Sequence, residues 1–348
     1  MRTIKTRYRF LYGMLQVLDK LLGRKLGKKL TPRTRKYLYE KIEKQLKEGG
    51  LRKVTDIERV SSITPEEFKS NYVDKAIPVV VTGGASEWAC CKNWSLDYFK
   101  NLHGEDEVTL VGNDDSEHDF EIIKLKQVIE NLNSESKKYL RFYPLLTEHP
   151  EHIKDFDLGW LRSVRGKHKS WEKFQMFIGG KGSQTPMHNA MACNLFIQVY
   201  GEKEWMLYPP EITAVIDPSP GKNFHRSAPF KSKEGTCDPF MSEFNPAYHL
   251  YKYTDAIKVH LKPGDIFYNP PHYWHAVKNP TDSIGIGYRW LSTSLSLKSA
   301  PLYTIIDLLS APFNIHIYKD WNKDYFQMLL KERGLYQKYL SKKKSISE

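Results

Sequence analysis

Two stretches of this 348-residue chain decide its fold: residues 185–210, TPMHNAMACNLFIQVYGEKEWMLYPP, and residues 258–275, KVHLKPGDIFYNPPHYWH. Each stretch contains short runs of β-branched and aromatic residues separated by turn residues, a pattern typical of β-strands. The first stretch predicts a hairpin, with strands at 194–200 and 204–208 joined at Gly201. The second stretch predicts another strand–turn–strand unit.

The same pattern continues on both sides, and helical spacing replaces it towards the two ends. Further strands are predicted at 77–82, 139–143, 174–178 and 284–290, and helices at 8–23, 32–48, 95–102, 122–132, 302–309 and 325–333. The expected fold is mainly β with flanking α: an antiparallel β-barrel or jelly roll framed by helices. We expect a basic helical extension at 1–54, one domain at 55–300 and a C-terminal helical extension at 301–348.

Two histidines, His188 and His275, lie on separate predicted strands. Two such histidines, with a carboxylate two residues after the first, form the facial triad that holds non-haem Fe(II). In this chain the carboxylate position is Ala190, whose methyl group cannot bind a metal. The pattern therefore predicts an iron site in which one protein ligand is missing.

With these motifs the chain resembles the JmjC/cupin-8 branch of the Fe(II)/2-oxoglutarate oxygenases, especially the asparaginyl hydroxylases that modify the hypoxia-inducible factor. The shared motifs are Thr-Pro-x-His ending at His188, a lysine fifteen residues later at Lys203, and Pro-Gly-Asp through Trp-His ending at His275. The resemblance covers residues 55–300. It implies a cupin-like double-stranded β-helix that holds Fe(II) through the two histidines.

The resemblance also implies a binding site for the co-substrate 2-oxoglutarate. Lys203 and Thr185 match the family's main contacts, and Tyr139 and Asn194 match two further ones. A carboxylate buried in the barrel needs a cation and hydroxyl donors beside it, which is the role implied for Lys203 and Thr185.

Three interpretations of Ala190 remain open. A radical halogenase of this superfamily has a small residue at this position and binds chloride there, and the loss of a negative side chain leaves room for an anion. Halogenation is the leading hypothesis. Alternatively, the chain hydroxylates a peptide, amino acid or protein side chain with water or a distant carboxylate on the iron. The third interpretation is a catalytically inactive cupin-like binding protein.

The net charge of +12 is concentrated in the N-terminal extension, because residues 1–55 carry 17 Lys/Arg against 4 Asp/Glu. The rest of the chain is close to neutral, which argues against a nucleic-acid groove across the fold. The basic arm is expected either to pack on its own domain or to meet an acidic partner or an anionic membrane surface. The resemblance implies a homodimer formed through the C-terminal helices. Four cysteines without a metal pattern and the absence of a long apolar run favour a cytoplasmic setting.

Several other polar residues have more than one interpretation. Asn189 could donate to a bound halide or face the substrate, and Arg289 could meet an anion or form a structural ion pair. His272 is expected in a loop, and His149 and His152 on the surface. The irregular segment 223–248 is either a substrate-contacting insertion or a surface loop.

Overall fold

The structure is a computed structural model. It describes residues 1–111, 120–132, 139–143, 145–167, 172–218, 225–227, 231–232, 235–236, 238–240, 246–310, 337 and 340–341. The predicted helix at 325–333 and much of segment 223–248 therefore lie outside the described residues.

The secondary structure follows the predicted order of helices, strands and helices. The helices are α1 Thr6–Leu22, α2 Arg24–Leu30, α3 Pro32–Glu48, α4 Pro65–Phe68, α5 Ala89–Asn93, α6 Leu96–His103, α7 Leu125–Glu130, α8 Leu145–Glu148, α9 Leu158–Arg165, α10 Thr213–Ile216, α11 Thr293–Ser299 and α12 Pro301–Ser310. The strands are β1 Val54–Asp56, β2 Arg59–Val60, β3 Val79–Val81, β4 Glu107–Val111, β5 Phe120–Lys124, β6 Tyr139–Tyr143, β7 Lys173–Gly179, β8 Gln184–Ala190, β9 Cys193–Tyr200, β10 Lys203–Tyr208, β11 His225–Ser227, β12 Lys231–Ser232, β13 Gly235–Thr236, β14 Ala256–Leu261, β15 Ile266–Asn269, β16 Trp274–Lys278 and β17 Ser283–Trp290. Short helical turns at Lys69–Val73, Pro150–Asp155, Pro210–Ile212 and Pro246–Tyr253 complete the set.

Two large sheets face each other, as expected for a jelly roll. One has the strand order β2-β3-β15-β9-β17-β7-β6-β4-β5, and the other has the order β1-β14-β10-β16-β8-β11. Their pairing is mostly antiparallel, with β1 and β2 pairing in parallel at the edges. The predicted fold class, mainly β with flanking helices, is confirmed.

The nine-stranded sheet is apolar on both faces because successive side chains of a strand point to opposite sides. Leu195 and Ile197 belong to a cluster with helical residues such as Phe99, and we call this side the outer face. Phe196 belongs to a second cluster with Trp205 and its neighbours on the six-stranded sheet, and we call this side the inner face. The barrel interior therefore lies between the two inner faces.

The hairpin predicted at Gly201 is wrong. β9 lies in the nine-stranded sheet, whereas β10 lies in the six-stranded sheet and pairs with β14 and β16. The strand–turn–strand unit at 258–268 behaves in the same way, since β14 and β15 also lie in different sheets. Each turn thus crosses from one sheet to the other, and the sequence alone indicates the turn but not the pairing.

The N-terminal arm packs on the barrel domain. Tyr8, Tyr12 and Leu38 share an apolar cluster with Ala214 from α10, and the Tyr12 hydroxyl donates to Asp217 at 2.8 Å. One face of the arm is therefore buried against its own chain. Its acidic, membrane or homodimer partners stay predictions.

One local prediction needs correction. The helix predicted at 122–132 begins with strand β5, whose β-branched Ile122 and Ile123 favour extended backbone, and only α7 is helical. Helix α3 starts at Pro32 as predicted, and the Thr31 hydroxyl before it donates to the Gly27 carbonyl. None of the helices in the described part of the chain is both long and apolar enough to cross a bilayer.

Candidate metal and co-substrate site

The two candidate metal ligands, His188 and His275, lie directly opposite each other on β8 and β16. Directly opposed residues of an antiparallel pair have side chains on the same face. The two imidazole centroids are 4.1 Å apart, and the rings are tilted by 56°. Antiparallel pairing thus brings together two residues that are far apart in the sequence.

Hydrogen bonding favours one tautomer of His275. Its Nδ1 lies 2.9 Å from the carbonyl oxygen of Tyr273, which can only accept, and 3.3 Å from the side-chain Nδ2 of Asn269. The shorter contact favours a proton on Nδ1, which leaves the lone pair of Nε2 for a metal. The ring also packs on Trp205, with centroids 5.1 Å apart.

Ala190 shares the strand face of His188, because the two residues are two positions apart on β8. Within the described residues, no three His, Cys, Asp or Glu side chains with ligand atoms within 4.8 Å of one another include His188 and His275. The backbone of β11 places residue His225 in register with Ala190. The third ligand position is therefore not filled by a carboxylate of the described residues.

Asn189 lies on the opposite side of β8 from these two residues. It is buried, and its Nδ2 donates to the His272 carbonyl at 3.4 Å. His272 lies in the turn between β15 and β16, as predicted, but it is fully buried, and its Nε2 lies 2.9 Å from the Thr304 hydroxyl. These two side chains connect β8 to α12 instead of extending the metal site.

Lys203 is buried completely inside the barrel, although a lysine beside a turn is usually solvated. Its ammonium donates to the Tyr139 hydroxyl at 3.2 Å, to the Ser283 hydroxyl at 3.2 Å and to the Asn279 side-chain oxygen. Burial lowers the pKa of Lys203 from 10.5 to about 7. No carboxylate in the described part of the chain forms a salt bridge with it.

Sequence reasoning missed the polar residues around this lysine. Asn279 lies between Lys203 and Ser183, to which its Nδ2 donates at 2.7 Å, and Ser283 donates to Asn279 at 3.0 Å. These residues hold the lysine in place. The Asn279-Pro280 turn before β17 was the available signal, but its partner could not be known without the sheet pairing.

The other expected co-substrate residues lie on both sheets. Tyr139 is buried beside Lys203, and burial raises its pKa, so its hydroxyl stays protonated. Thr185 is half-buried opposite Val277, a residue that packs at the inner face. Asn194 is buried, and its side-chain amide has no hydrogen-bond partner among the described residues.

Space beside Asn194 depends on a glycine. A Cβ at Gly287 would lie 3.0 Å from the Asn194 side-chain oxygen and 3.4 Å from Nε of Arg289. Arg289 is opposite Asn194 in the sheet, and its guanidinium lies 5.8 Å from the Phe177 ring centroid. The polar groups of Asn194 and Arg289 thus gather at one end of the inner face.

The residues present fit Fe(II) and 2-oxoglutarate. Two imidazoles form a nitrogen donor pair suited to Fe(II). The buried Lys203 and the unpartnered amide of Asn194 are groups that a dicarboxylate would satisfy. When bound, Fe(II) and 2-oxoglutarate would supply the oxidation chemistry. The side chains of the site would hold and orient them and shield them from solvent.

Comparison with known proteins agrees with this geometry. The model of the cupin-like domain family matches residues 65–295. The chain is 25% identical over 253 residues to the lysine-specific demethylase JMJ30 of Arabidopsis thaliana, covering 70% of this chain and 56% of that protein. It is 23% identical over 252 residues to lysine-specific demethylase 8 of Danio rerio, covering 70% and 60%.

A shorter match, 31% identical over 112 residues, links the chain to human HSPB1-associated protein 1, covering 32% and 22% of the two proteins. The chain thus spans less than two thirds of the length of these curated relatives. By the family match, the chain belongs to the cupin-like domain family, within the superfamily of Fe(II)/2-oxoglutarate-dependent oxygenases.

Proposed function

We propose that this protein binds Fe(II) through His188 and His275 and binds 2-oxoglutarate through Lys203, in order to hydroxylate an aliphatic C–H bond. The observation that carries the proposal is the buried ammonium of Lys203, which has three neutral partners and no carboxylate within the described residues. It lies on the same strand as Leu207, which is opposite His275. Lys203 and His275 therefore both lie on the inner face of the six-stranded sheet.

Each residue has a defined part in binding. The Lys203 ammonium would neutralise the distal carboxylate of 2-oxoglutarate in a site that excludes water. The Tyr139 hydroxyl accepts a hydrogen bond from Lys203, so its own proton is available to the same carboxylate. Thr185 and Asn194 are proposed to contribute further donors. Trp205 packs on the His275 ring and restricts its rotation.

The substrate class is proposed from the relatives. Three of the relatives, matched over 252 to 282 residues, are named lysine-specific or arginine-specific demethylases. An N-methyl group on a lysine or arginine side chain is therefore the first substrate to test. A C–H bond in another peptide or amino acid side chain is the broader alternative.

Halogenation remains a second candidate because of one residue. Ala190 offers space where a carboxylate ligand would stand, as the leading sequence hypothesis required. The relatives do not support it, since their names indicate demethylation, and hydroxylation accounts better for the whole comparison. Chloride is accordingly proposed only as an alternative third ligand, beside water or another side chain.

The first test is anaerobic titration of Fe(II) and 2-oxoglutarate, followed by visible absorption. We expect a metal-to-ligand charge-transfer band in the native protein and none in His188→Ala/His275→Ala. Lys203→Met should weaken 2-oxoglutarate binding at least about 100-fold, since it removes the only proposed cation, whereas exposed Lys181→Met should not. A native protein without the band would contradict the proposal and favour a binding protein.

Two further measurements separate the alternatives. A band that shifts with chloride in the native protein, but not in Ala190→Asp, would favour halogenation. A band indifferent to chloride, together with succinate formation that depends on substrate, would favour hydroxylation. Binding without any 2-oxoglutarate turnover would indicate an inactive relative.

A further inference from the structure

A second group of metal-ligating side chains lies away from the barrel interior. His103 ends α6, Glu148 ends α8, and His149, Glu151 and His152 lie in or beside the helical turn Pro150–Asp155. Sequence reasoning placed His149 and His152 on the surface, but His152 is buried and His149 is mostly buried. His103 is distant from His149 and His152 in the sequence, so spacing alone could not place it beside them, and only the fold brings the three together.

This group lies on the outer side of the nine-stranded sheet. The rings of His103 and His152 contact Phe99, and His152 also contacts Trp94, with centroids between 5.4 and 6.2 Å apart. Phe99 and Trp94 belong to the cluster on the outer face, whereas His275 packs on Trp205 of the inner face. The sheet therefore separates the two groups of histidines.

Hydrogen bonds orient the ring of His103. Its Nε2 lies 2.7 Å from Nε2 of His152, whose Nδ1 lies 3.0 Å from a carboxylate oxygen of Asp155. Asp155 also accepts from the Trp94 indole at 3.0 Å. Hydrogen-bond partners of this kind commonly fix the ring orientation of a metal-binding histidine. Here they leave Nδ1 of His103 available to bind a metal.

His149 is oriented in the same way. Its Nε2 lies 2.6 Å from a carboxylate oxygen of Asp106, which also accepts from the Tyr143 hydroxyl. Its Nδ1 lies 3.6 Å from a carboxylate oxygen of Glu151. The imidazoles of His149 and His103 stack with centroids 3.6 Å apart, so ring nitrogens of both residues lie in one small region.

We propose that His103, His149 and Glu151 form a second metal site, which takes a divalent transition metal of the zinc type. One ligand atom from each residue lies within 4.8 Å of the other two. Two imidazoles and one carboxylate are donors that Zn²⁺ prefers, and a water would complete four-fold coordination. The set His149, Asp106 and Glu148 satisfies the same distance condition and offers neighbouring oxygens.

Charge and access support this assignment. Carboxylates of Asp106 and Glu151 lie 2.6 and 3.6 Å from the ring nitrogens of His149, and a carboxylate of Asp155 lies 3.0 Å from His152, so the surroundings favour a cation. The Glu151 side chain is 56% exposed, and that of His149 is 20% exposed. An ion can therefore enter from solvent. Because α6 and the turn at 150–155 supply different ligands, binding would join these elements.

The test is a titration of Zn²⁺ alone into the full-length His188→Ala/His275→Ala variant, in which the barrel ligands are absent. Equilibrium dialysis should find one bound Zn²⁺ per chain. Adding His149→Ala and Glu151→Gln should weaken binding more than about 100-fold, because losing a residue that only orients a ligand already costs roughly 10–100-fold. Co²⁺ in place of Zn²⁺ should give d–d absorption that disappears with the same changes.

The matched control is His260→Ala, since His260 forms an imidazole–carboxylate pair with Glu202 at 2.8 Å elsewhere on the chain. It should leave Zn²⁺ binding unchanged. Glu151→Gln alone, at an exposed position, tests the site without disturbing the buried rings. Equal Zn²⁺ affinity with and without His149 and Glu151, or no bound Zn²⁺ in the variant lacking the barrel histidines, would overturn the proposal. Neither result would bear on the iron site, which is measured separately.

Discussion

At the scale of single residues, the charge of Lys203 affects both the stability of the folded protein and the binding of the co-substrate. Its side chain is fully buried, and desolvation lowers its pKa to about 7. The unfolded chain keeps the usual value of 10.5, so the unfolded state binds more protons between about pH 7 and 10.5. Without ligand, the free energy of unfolding therefore rises with pH through this window. The cost of burying the charged Lys203 ammonium is fully present below pH 7.

The same shift predicts a proton uptake on co-substrate binding. Above pH 7 the amine is mostly neutral, and a bound dicarboxylate would restore its charge. Calorimetry in buffers of different ionisation enthalpy should find close to one proton taken up per 2-oxoglutarate at about pH 8. At about pH 6 the uptake should be close to zero. Equal uptake at the two pH values would contradict this role for Lys203.

At the scale of elements, the N-terminal arm contains a buried ion pair. Arg35 on α3 lies 2.6 Å from Asp19 on α1, and both side chains are almost inaccessible. One nitrogen of Arg35 and one oxygen of Asp19 have no partner among the described residues. The pair therefore depends on both members, because either charge alone would be buried without compensation.

Removing one member should be costly. We expect Arg35→Met to lower the free energy of unfolding by about 3–5 kcal/mol, since it leaves the Asp19 carboxylate buried and unpaired. Exposed Arg33→Met should change it by less than about 0.5 kcal/mol. Urea denaturation followed by tryptophan fluorescence measures both. If Asp19→Leu/Arg35→Met is no more stable than Arg35→Met, the unpaired charge is not the cause.

The elements also mark how far the sequence could predict the structure. Strands such as β7, β10 and β17 were predicted within about two residues, because alternating apolar runs between turns reflect the strand period. The partner of each strand could not be predicted. The residues around Gly201 specify a tight turn, but apolar surfaces on distant strands decide that β9 and β10 enter different sheets.

The site was predictable to a different extent. The positions of His188, His275 and Lys203 came from motif order, and the structure places all three within the six-stranded sheet. Asn279 and Ser283 could not be predicted as site residues, because nothing near them in the sequence indicates that they contact a lysine. The metal roles of the histidines stay predictions until an ion is measured.

At the scale of the whole molecule, binding of the co-substrate between the two sheets should stabilise both sheets. Lys203 comes from the six-stranded sheet, whereas Tyr139 and Ser283 come from the nine-stranded sheet. A ligand that binds only the folded state adds about 2.7 kcal/mol at a concentration of 100 Kd. 2-Oxoglutarate with Fe(II) should therefore raise the melting temperature of the native protein.

Thermal melts of two lysine variants test this coupling. Lys203→Met should melt no lower than the native protein without ligand, because it removes a buried charge, but it should lose the shift. Lys181→Met, at an exposed position, should keep the shift. A shift of the same size in Lys203→Met would mean that the co-substrate binds elsewhere.

The crossing turns have a consequence for how the chain reaches its folded state. Because pairs such as β9 and β17, or β8 and β16, join distant parts of the chain, neither sheet can assemble completely from one contiguous stretch. Non-local pairing of this kind slows folding, since long loops must close before contacts compensate for them. During synthesis, a nascent chain that ends before β16 has neither His275 nor the strand between β8 and β10. Metal binding at His188 and His275 should therefore begin only when nearly the whole barrel has left the ribosome.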